Sequence, residues 1–272
     1  MKYILIRYGE IWLKGQKRNY FEQKLINNII NSFNLAKHSY GEIIRKGGRI
    51  LIESESLCDS LKKVSGIVSY SLAEKILPDL DSIKKNIEKN YLNSIKEPFC
   101  VRVQRIDKIG KINSRGLEKE IGSFIVEKTN KKVNLKNPAT LLGLEIYSES
   151  AYLFTEELKG LGGLPQNDDG HIAIFLRTEK DLIAGKILIK RGCILDIIDF
   201  ELDNALFKEL QTYSAGKQFC IVKKHFFDKY DFIASGENID ELIKTKDNGI
   251  ISLISQNKLL YPLEGLTEEE IK

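Results

Sequence analysis

Three observations predict that this 272-residue chain is a mixed α+β and α/β protein. Strand and helix patterns up to residue 76 run in the order βαββαβ, which folds as an antiparallel sheet with helices on one face, the ferredoxin-like arrangement. The stretch KGLGGLPQNDDG, residues 159 to 170, packs four glycines and one proline into a dozen positions and so marks a hinge. Beyond it strands alternate with helices, as in a doubly wound parallel sheet. The expected domains are 1–76, 77–165 and 166–272.

In the first unit, residues 3 to 8 (YILIRY) read as a short apolar strand. The loop IWLKGQKR leads to a helix from about Asn19 to Phe33, whose Phe21, Leu25, Ile29 and Phe33 form one stripe. Strands near 38–45 and 48–53 meet at a Gly47-Gly48 hairpin turn. A helix near 56–64 and a strand near 67–76 complete the unit. Trp12, the only tryptophan, lies beside Lys14, Lys17 and Arg18. It reads as a packing anchor, with stacking on RNA as the alternative.

The second unit starts with a helix from about Asp81 to Ile95. FCVRVQR then alternates, Val101 and Val103 inward and Arg102 and Gln104 outward, as in a half-buried strand. A loop with Gly110 and Asn113 precedes a helix from about Arg115 to Lys128, striped by Leu117, Ile121, Phe124 and Ile125. Strands near 141–146 and 151–157 close the unit. Arg102, Arg105, Lys108, Lys111 and Arg115 crowd this strand end, loop and helix start, and Lys136 follows. A helix N-terminus favours anions, so the helix itself gives these cations nothing. A phosphate backbone is their natural partner, because several cations on one surface release counterions when they meet it. A solvated basic face is the other reading.

The charge is uneven. Residues 1–170 carry 28 Lys plus Arg against 21 Asp plus Glu, or +7, whereas the remainder carries 14 against 17, or −3. A nucleic-acid surface therefore belongs to the first two units. Cysteines 58, 100, 193 and 220 form no close pair, which suggests neither a zinc cage nor a disulfide framework. Cys58, Cys100 and Cys193 fall on apolar segments and read as core. With no run of ~18 apolar residues and no signal-peptide pattern, a reduced cytoplasmic protein is expected.

The third unit opens with the strand HIAIF, the loop LRTEKD and the helix LIAGKILIKRG. Then come a strand at CILDIIDF, a helix near 203–210, and strands near 218–222 and 231–234. In a doubly wound sheet the loop after the first strand is where a nucleotide phosphate sits, held by backbone N–H groups that need small residues around them. LRTEKD has no glycine, and Glu179 and Asp181 offset Arg177 and Lys180. Magnesium binding by the two acids is the alternative, and a solvated loop capping the helix is the expected role. His38, His171 and His225 stand alone in sequence, and Lys223, Lys224 and His225 form a small basic cluster.

Together RYGEIWLKGQKRNYFEQKL, VSGIVSYSLAEKI, VRVQRIDKIGKINSRGLEKEIG, VNLKNP, LEIYSESAYLFTEELKGLGGLP and AGKILIKRG resemble the tRNA 4-thiouridine synthetase family over nearly the whole chain. The resemblance implies a ferredoxin-like domain, a THUMP domain and a PP-loop adenylating domain, the first two gripping the acceptor end of tRNA. It places Arg102, Arg105, Lys108, Lys111 and Arg115 in the THUMP segment. The family's PP-loop reads SGGxDS; at Leu176, Arg177, Thr178, Glu179, Lys180 and Asp181 none of that signature stands. Cys220 has Lys223 where some members place a second cysteine, SGEN at 235–238 is a remnant of a nucleotide-side segment, and the sequence ends soon after YPLEGLTEEEI. The expectation is a tRNA-binding protein with no cofactor or metal, no catalytic residue of its own, and a separate modifying enzyme as partner. The alternatives are a divergent sulfurtransferase that uses ATP and magnesium with a partner chain, or a non-catalytic scaffold.

Overall fold

The computed structural model describes residues 1–107, 113–166, 171–223, 229–244, 247–256 and 258–266. Strand β1 (Lys2–Arg7) is followed by a 3-10 segment, Glu10–Lys17, and helix α1 (Arg18–Ala36). The helix stops where Lys37 turns left-handed at φ 54° and the His38 N–H reaches back to the Phe33 carbonyl. Strands β2 (Ile43–Lys46), β3 (Arg49–Glu53) and β4 (Ser69–Ile76) complete the βαββαβ order. Between β3 and β4 the expected helix near 56–64 is one short 3-10 turn, Asp59–Lys63. The strand expected from 38 begins only at Ile43, because residues 38 to 42 are spent leaving the helix.

Helix α2 (Leu80–Asn90) starts under an Asp79 cap on Ser82 and is shorter than its predicted span to Ile95, unwinding into turns before Pro98. Then come β5 (Phe99–Arg105), α3 (Ser114–Thr129), β6 (Thr140–Ile146), β7 (Ala151–Phe154) and the two-residue β8 (Leu158–Lys159). The strand expected at 151–157 ends at Phe154, and β8 lies just beyond it. The C-terminal part comprises β9 (His171–Ile174), α4 (Glu179–Lys190), β10 (Ile194–Ile198), α5 (Asn204–Gln211), β11 (Cys220–Val222) and β12 (Ile233–Ala234). Three further elements, α6 (Ile239–Ile243), α7 (Asn248–Ser255) and β13 (Leu259–Leu260), carry no clear signal in the sequence.

These elements form two compact units. The first is Met1–Arg7, Ser39–Leu57 and Ser69–Lys159. Its sheet runs β2-β3-β1-β4-β7-β6-β5, with β8 also paired to β4. The βαββαβ strands and the basic segment thus share one sheet, joined where β4 pairs with β7. Strand β5 is an edge, parallel to β6. One face of the β5–β6–β7 portion is covered by Ile83 and Ile87 of α2 and by Leu117, Ile121 and Ile125 of α3, packed on Val101, Val103, Leu142, Leu144 and Leu153. Each such side chain contributes roughly 1.5–3 kcal/mol by leaving water.

The second unit is Tyr8–His38, Cys58–Val68 and Gly160–Lys272. Its sheet, β11-β10-β9-β12-β13, is parallel throughout. Alternate strand residues feed two cores. Ile174, Leu195, Ile197 and Ala234 meet α4 and α5, while Ala173, Phe175, Ile198 and Ile233 meet α6 and α7. That is the doubly wound pattern, with β9 central and a switch in strand order beside it.

Candidate functional site

Edge strand β5 and helix α3 are consecutive, so the chain brings their cations together. Arg102 and Arg115 line one groove of about 680 Å³, with Lys119 beside them. Its apolar side is Phe99, Val101, Val126, Val133 and Leu135, the last two well exposed. The Arg102 Nη2 donates to the Leu135 carbonyl at 2.8 Å, which pins the guanidinium at the rim. Asn113 caps α3 by accepting the Gly116 N–H at 2.7 Å, leaving Arg115 exposed in the first turn. Lys136 is exposed next to Leu135. Glu118 accepts the Val103 N–H at 3.0 Å and so protects the sheet edge. Arg105 is half-buried, and Lys108 and Lys111 lie outside the described residues.

Lys14, Lys17 and Arg18 belong to the second unit. Lys17 is exposed, whereas the Lys14 ammonium sits over the Phe21 ring at 5.2 Å. Arg18 is more deeply engaged: its Nε donates to Glu22 at 2.7 Å, its Nη2 to the Tyr8 hydroxyl at 3.2 Å, and its carbon lies 3.6 Å from the Trp12 ring centre. The Tyr8 hydroxyl also donates to Glu22, and burial together with that carboxylate pushes the phenol up to about 12. Trp12 remains 46 % exposed, so it is not the buried anchor its sequence suggests.

At the switch point, Thr178 and Asp181 form a capping box that starts α4 at Glu179, three residues before the predicted start. Half of LRTEKD is therefore helix. Nor is Asp181 solvated: it is 0 % exposed. Its carboxylate accepts the backbone N–H groups of Arg177 (3.0 Å), Thr178 (3.1 Å) and Gly236 (2.8 Å), and the hydroxyls of Thr178 (3.2 Å) and Ser235 (3.3 Å). These are the donors a phosphate needs at the mouth of a parallel sheet, and an internal anion already holds them. Gly236 packs so tightly on Lys180 that any Cβ there would overlap the Lys180 backbone. Arg177 is paired with Glu237, and Lys180 with Glu241 at 2.6 Å. Burial raises the Glu237 carboxyl, while the Lys180 contact lowers that of Glu241. The adjoining cavity of about 590 Å³ is lined by Glu237, Asp240, Glu241 and Glu264 against one Lys180. A phosphate seated here would have to displace Asp181 and face those acids. Leu176 is buried, and Glu179 is exposed beside the filled site.

The sequence reading missed Arg7 and Glu145. Arg7 Nε meets Glu145 at 2.7 Å, Arg49 meets the other Glu145 oxygen at 3.0 Å, and all three side chains are at most 11 % exposed. The available signal was a single charge in each of two apolar strands, YILIRY and LLGLEI. Cys58 and Cys100 are buried as expected, and burial pushes the Cys100 and Cys193 thiols up, away from thiolate chemistry. Cys220 is exposed. His38 packs on Phe33 with ring centres 4.7 Å apart, and His171 Nδ1 is 3.5 Å from Asp196. Lys223 is exposed, and Lys224 and His225 are outside the described residues. Among the described residues no cluster of His, Cys, Asp or Glu has a metal-binding arrangement, and no helix is long and apolar enough to cross a membrane.

A sheet that joins a ferredoxin-like half to a basic β5–α3 module, in a chain that also carries a doubly wound parallel domain, defines a THUMP-type protein. The ThiI ferredoxin-like domain model matches residues 3–71 and the THUMP domain model residues 74–156. A probable tRNA sulfurtransferase of Methanocaldococcus jannaschii is 31 % identical, covering 96 % of this chain and 72 % of its own length. One from Natranaerobius thermophilus is 36 % identical over 70 % of this chain and 49 % of its own. The chain belongs to the tRNA sulfurtransferase family. It spans about half the length of several relatives it matches. Among solved structures, PH1313 from Pyrococcus horikoshii superposes with a TM-score of 0.83 at 29 % identity, covering 100 % of this chain and 97 % of its own. A 4-thiouridine synthetase–RNA complex with bound ATP shares the fold at TM-score 0.77 and 24 % identity, covering 100 % and 83 %.

Proposed function

We propose that this chain binds tRNA at its acceptor end and serves tRNA modification without adenylating or thiolating the RNA itself. The functional division is 1–76, 77–165 and 166–272, the first two domains gripping RNA through Arg102, Arg115, Lys119 and Lys136, with Lys14 and Lys17 contributing. One observation carries the loss of chemistry: the Asp181 carboxylate takes the backbone donors at the switch point, inside an acidic surround. A separate modifying enzyme then receives the tRNA. Family membership favours one alternative, a divergent sulfurtransferase that draws ATP and sulfur from a partner chain.

Three measurements test the proposal. Gel-shift titration with total tRNA is expected to show binding at low salt that weakens steeply as salt rises. No shift at low salt would remove the RNA reading. ATP with magnesium is expected to leave the thermal midpoint unmoved. A ligand held only by the folded state at about 100 times its Kd adds about 2.7 kcal/mol, so binding would be plain to see. Pyrophosphate release by the purified chain with ATP, magnesium and tRNA would establish the enzyme reading instead.

A further inference from the structure

The groove of about 680 Å³ between β5 and α3 offers more than its cations. Edge strand β5 is covered on either side of Val101. On one side Val133 bridges Phe99: the Phe99 N–H donates to the Lys132 carbonyl at 3.0 Å, and the Asn134 N–H to the Phe99 carbonyl at 2.9 Å. On the other, Glu118 accepts the Val103 N–H. Alternation along a strand turns the Val101 N–H and C=O toward the same side as those of Phe99 and Val103. The bridging segment does not continue to meet them, because the Lys136 N–H turns to the Asn134 side chain at 3.0 Å. One donor–acceptor pair of the sheet edge thus faces the groove, and an added strand pairs with such a rung.

The opposite wall makes room for an occupant. Gly122 lies in the interior of α3 and lines the groove, and a Cβ built there would meet nothing within 4 Å. No neighbour asks for a glycine at that point, and glycine costs a helix interior more than alanine does. What its bare backbone provides is a close approach for another chain. Charge also changes along the helix: Arg115 and Lys119 come first, Gly122 and Val126 follow, and Glu127 stands last. From Arg115 to Glu127 the helix rises about 18 Å, the reach of five or six extended residues. A nucleic-acid strand carries a phosphate on every nucleotide, so along this path it would set charges over the apolar middle and against Glu127. A peptide can match acid to the cations and apolar side chains to Val126, Val133 and Leu135.

We propose that the groove docks an extended segment of a partner protein, about six residues long, acidic at the end that meets Arg115 and Lys119, apolar in its middle, and paired through its backbone with Val101. The partner is the modifying enzyme that receives the tRNA, so the inference rests on the function proposed above and adds the site and chemistry of that encounter. Segment and tRNA share the cations, so docking releases the RNA. The test is fluorescence anisotropy of the full chain, without RNA, using labelled Asp-Asp-Val-Leu-Val-Ser. Binding is expected, and it should be at least about tenfold weaker for Lys-Lys-Val-Leu-Val-Ser and for the acidic peptide N-methylated at its three apolar residues. Total tRNA added at low salt should then displace the acidic peptide. Gly122→Leu fills the groove, so it should weaken the peptide at least about tenfold, keep or raise the thermal midpoint, and leave the tRNA gel shift as in the wild type. If G122L does not fold, the two control peptides decide. No binding of the acidic peptide, equal affinity for either control, unchanged binding by folded G122L, or a peptide that stays in place while tRNA binds would overturn the proposal. So would a folded G122L that loses tRNA and peptide alike, since the middle of the groove would then belong to RNA. The peptide arms contain no RNA and can fail while the wild-type tRNA gel shift stands; loss of that shift removes the broader function instead.

Discussion

Replacing Asp181 by alanine is expected to lower the stability of the protein by about 3–5 kcal/mol, the scale for removing a buried charged partner from its donors. The carboxylate is 0 % exposed and accepts five hydrogen bonds, three of them from backbone N–H groups. Truncation strands all five donors, and each buried one left unmade costs about 1–3 kcal/mol before the site relaxes. Asp181→Asn should recover little, because its amide turns a second set of donors toward Gly236 or toward Arg177 and Thr178. The measurement is the urea midpoint, read with an unchanged slope so that the loss belongs to the folded state. Formate or inorganic phosphate in the buffer should raise the midpoint of D181A and leave the wild type alone, since a small external anion then fills the place of the missing one. An alanine variant within about 1 kcal/mol of wild type would mean that the loop needs no anion at all.

That contact explains what the sequence hides. The capping pair Thr178 and Asp181 is visible in LRTEKD as a Thr followed three residues later by an acid, and the charges around it disguise the helix start as a loop. Ser235 and Gly236, the other half of the arrangement, stand 54 and 55 residues away, and no local pattern ties them to Asp181. The Arg7–Glu145 pair spans 138 residues and is equally invisible until β1 and β6 share a sheet. The segments that did declare themselves are those with regular periods: the alternation of β5, the stripe of α3, and the strand–helix alternation after the glycine-rich stretch. Three elements, α6, α7 and β13, are at most eight residues long, too short for a period to stand out. Gathering of cations followed the same logic. Arg102 and Arg115 meet because their elements are consecutive, while Lys14, Lys17 and Arg18 belong to another unit, where Arg18 is bound up with Glu22 and Tyr8.

Neutralising Arg102 and Arg115 together should weaken tRNA binding by about 60-fold at 0.1 M salt. Each phosphate contact contributes about 0.9 to the slope of log affinity against log salt, hence about eightfold in affinity at that concentration. The R102Q/R115Q protein should accordingly show a slope lower by about 2, and the loss should be the same for tRNAs of different sequence, since phosphate contacts position without specifying. Arg115 is exposed and Arg102 gives up one hydrogen bond to Leu135, so the thermal midpoint should fall by no more than a few degrees. The slope separates the two readings of the groove. If it is unchanged while the fold is intact, Arg102 and Arg115 are a solvated basic face and the RNA surface must be sought at the Lys14 and Lys17 segment. If it falls by the full amount, the apolar wall of Val133 and Leu135 lies beside bound phosphates, which gives those two exposed side chains a reason to be apolar: they exclude water from ion pairs that are stronger in its absence.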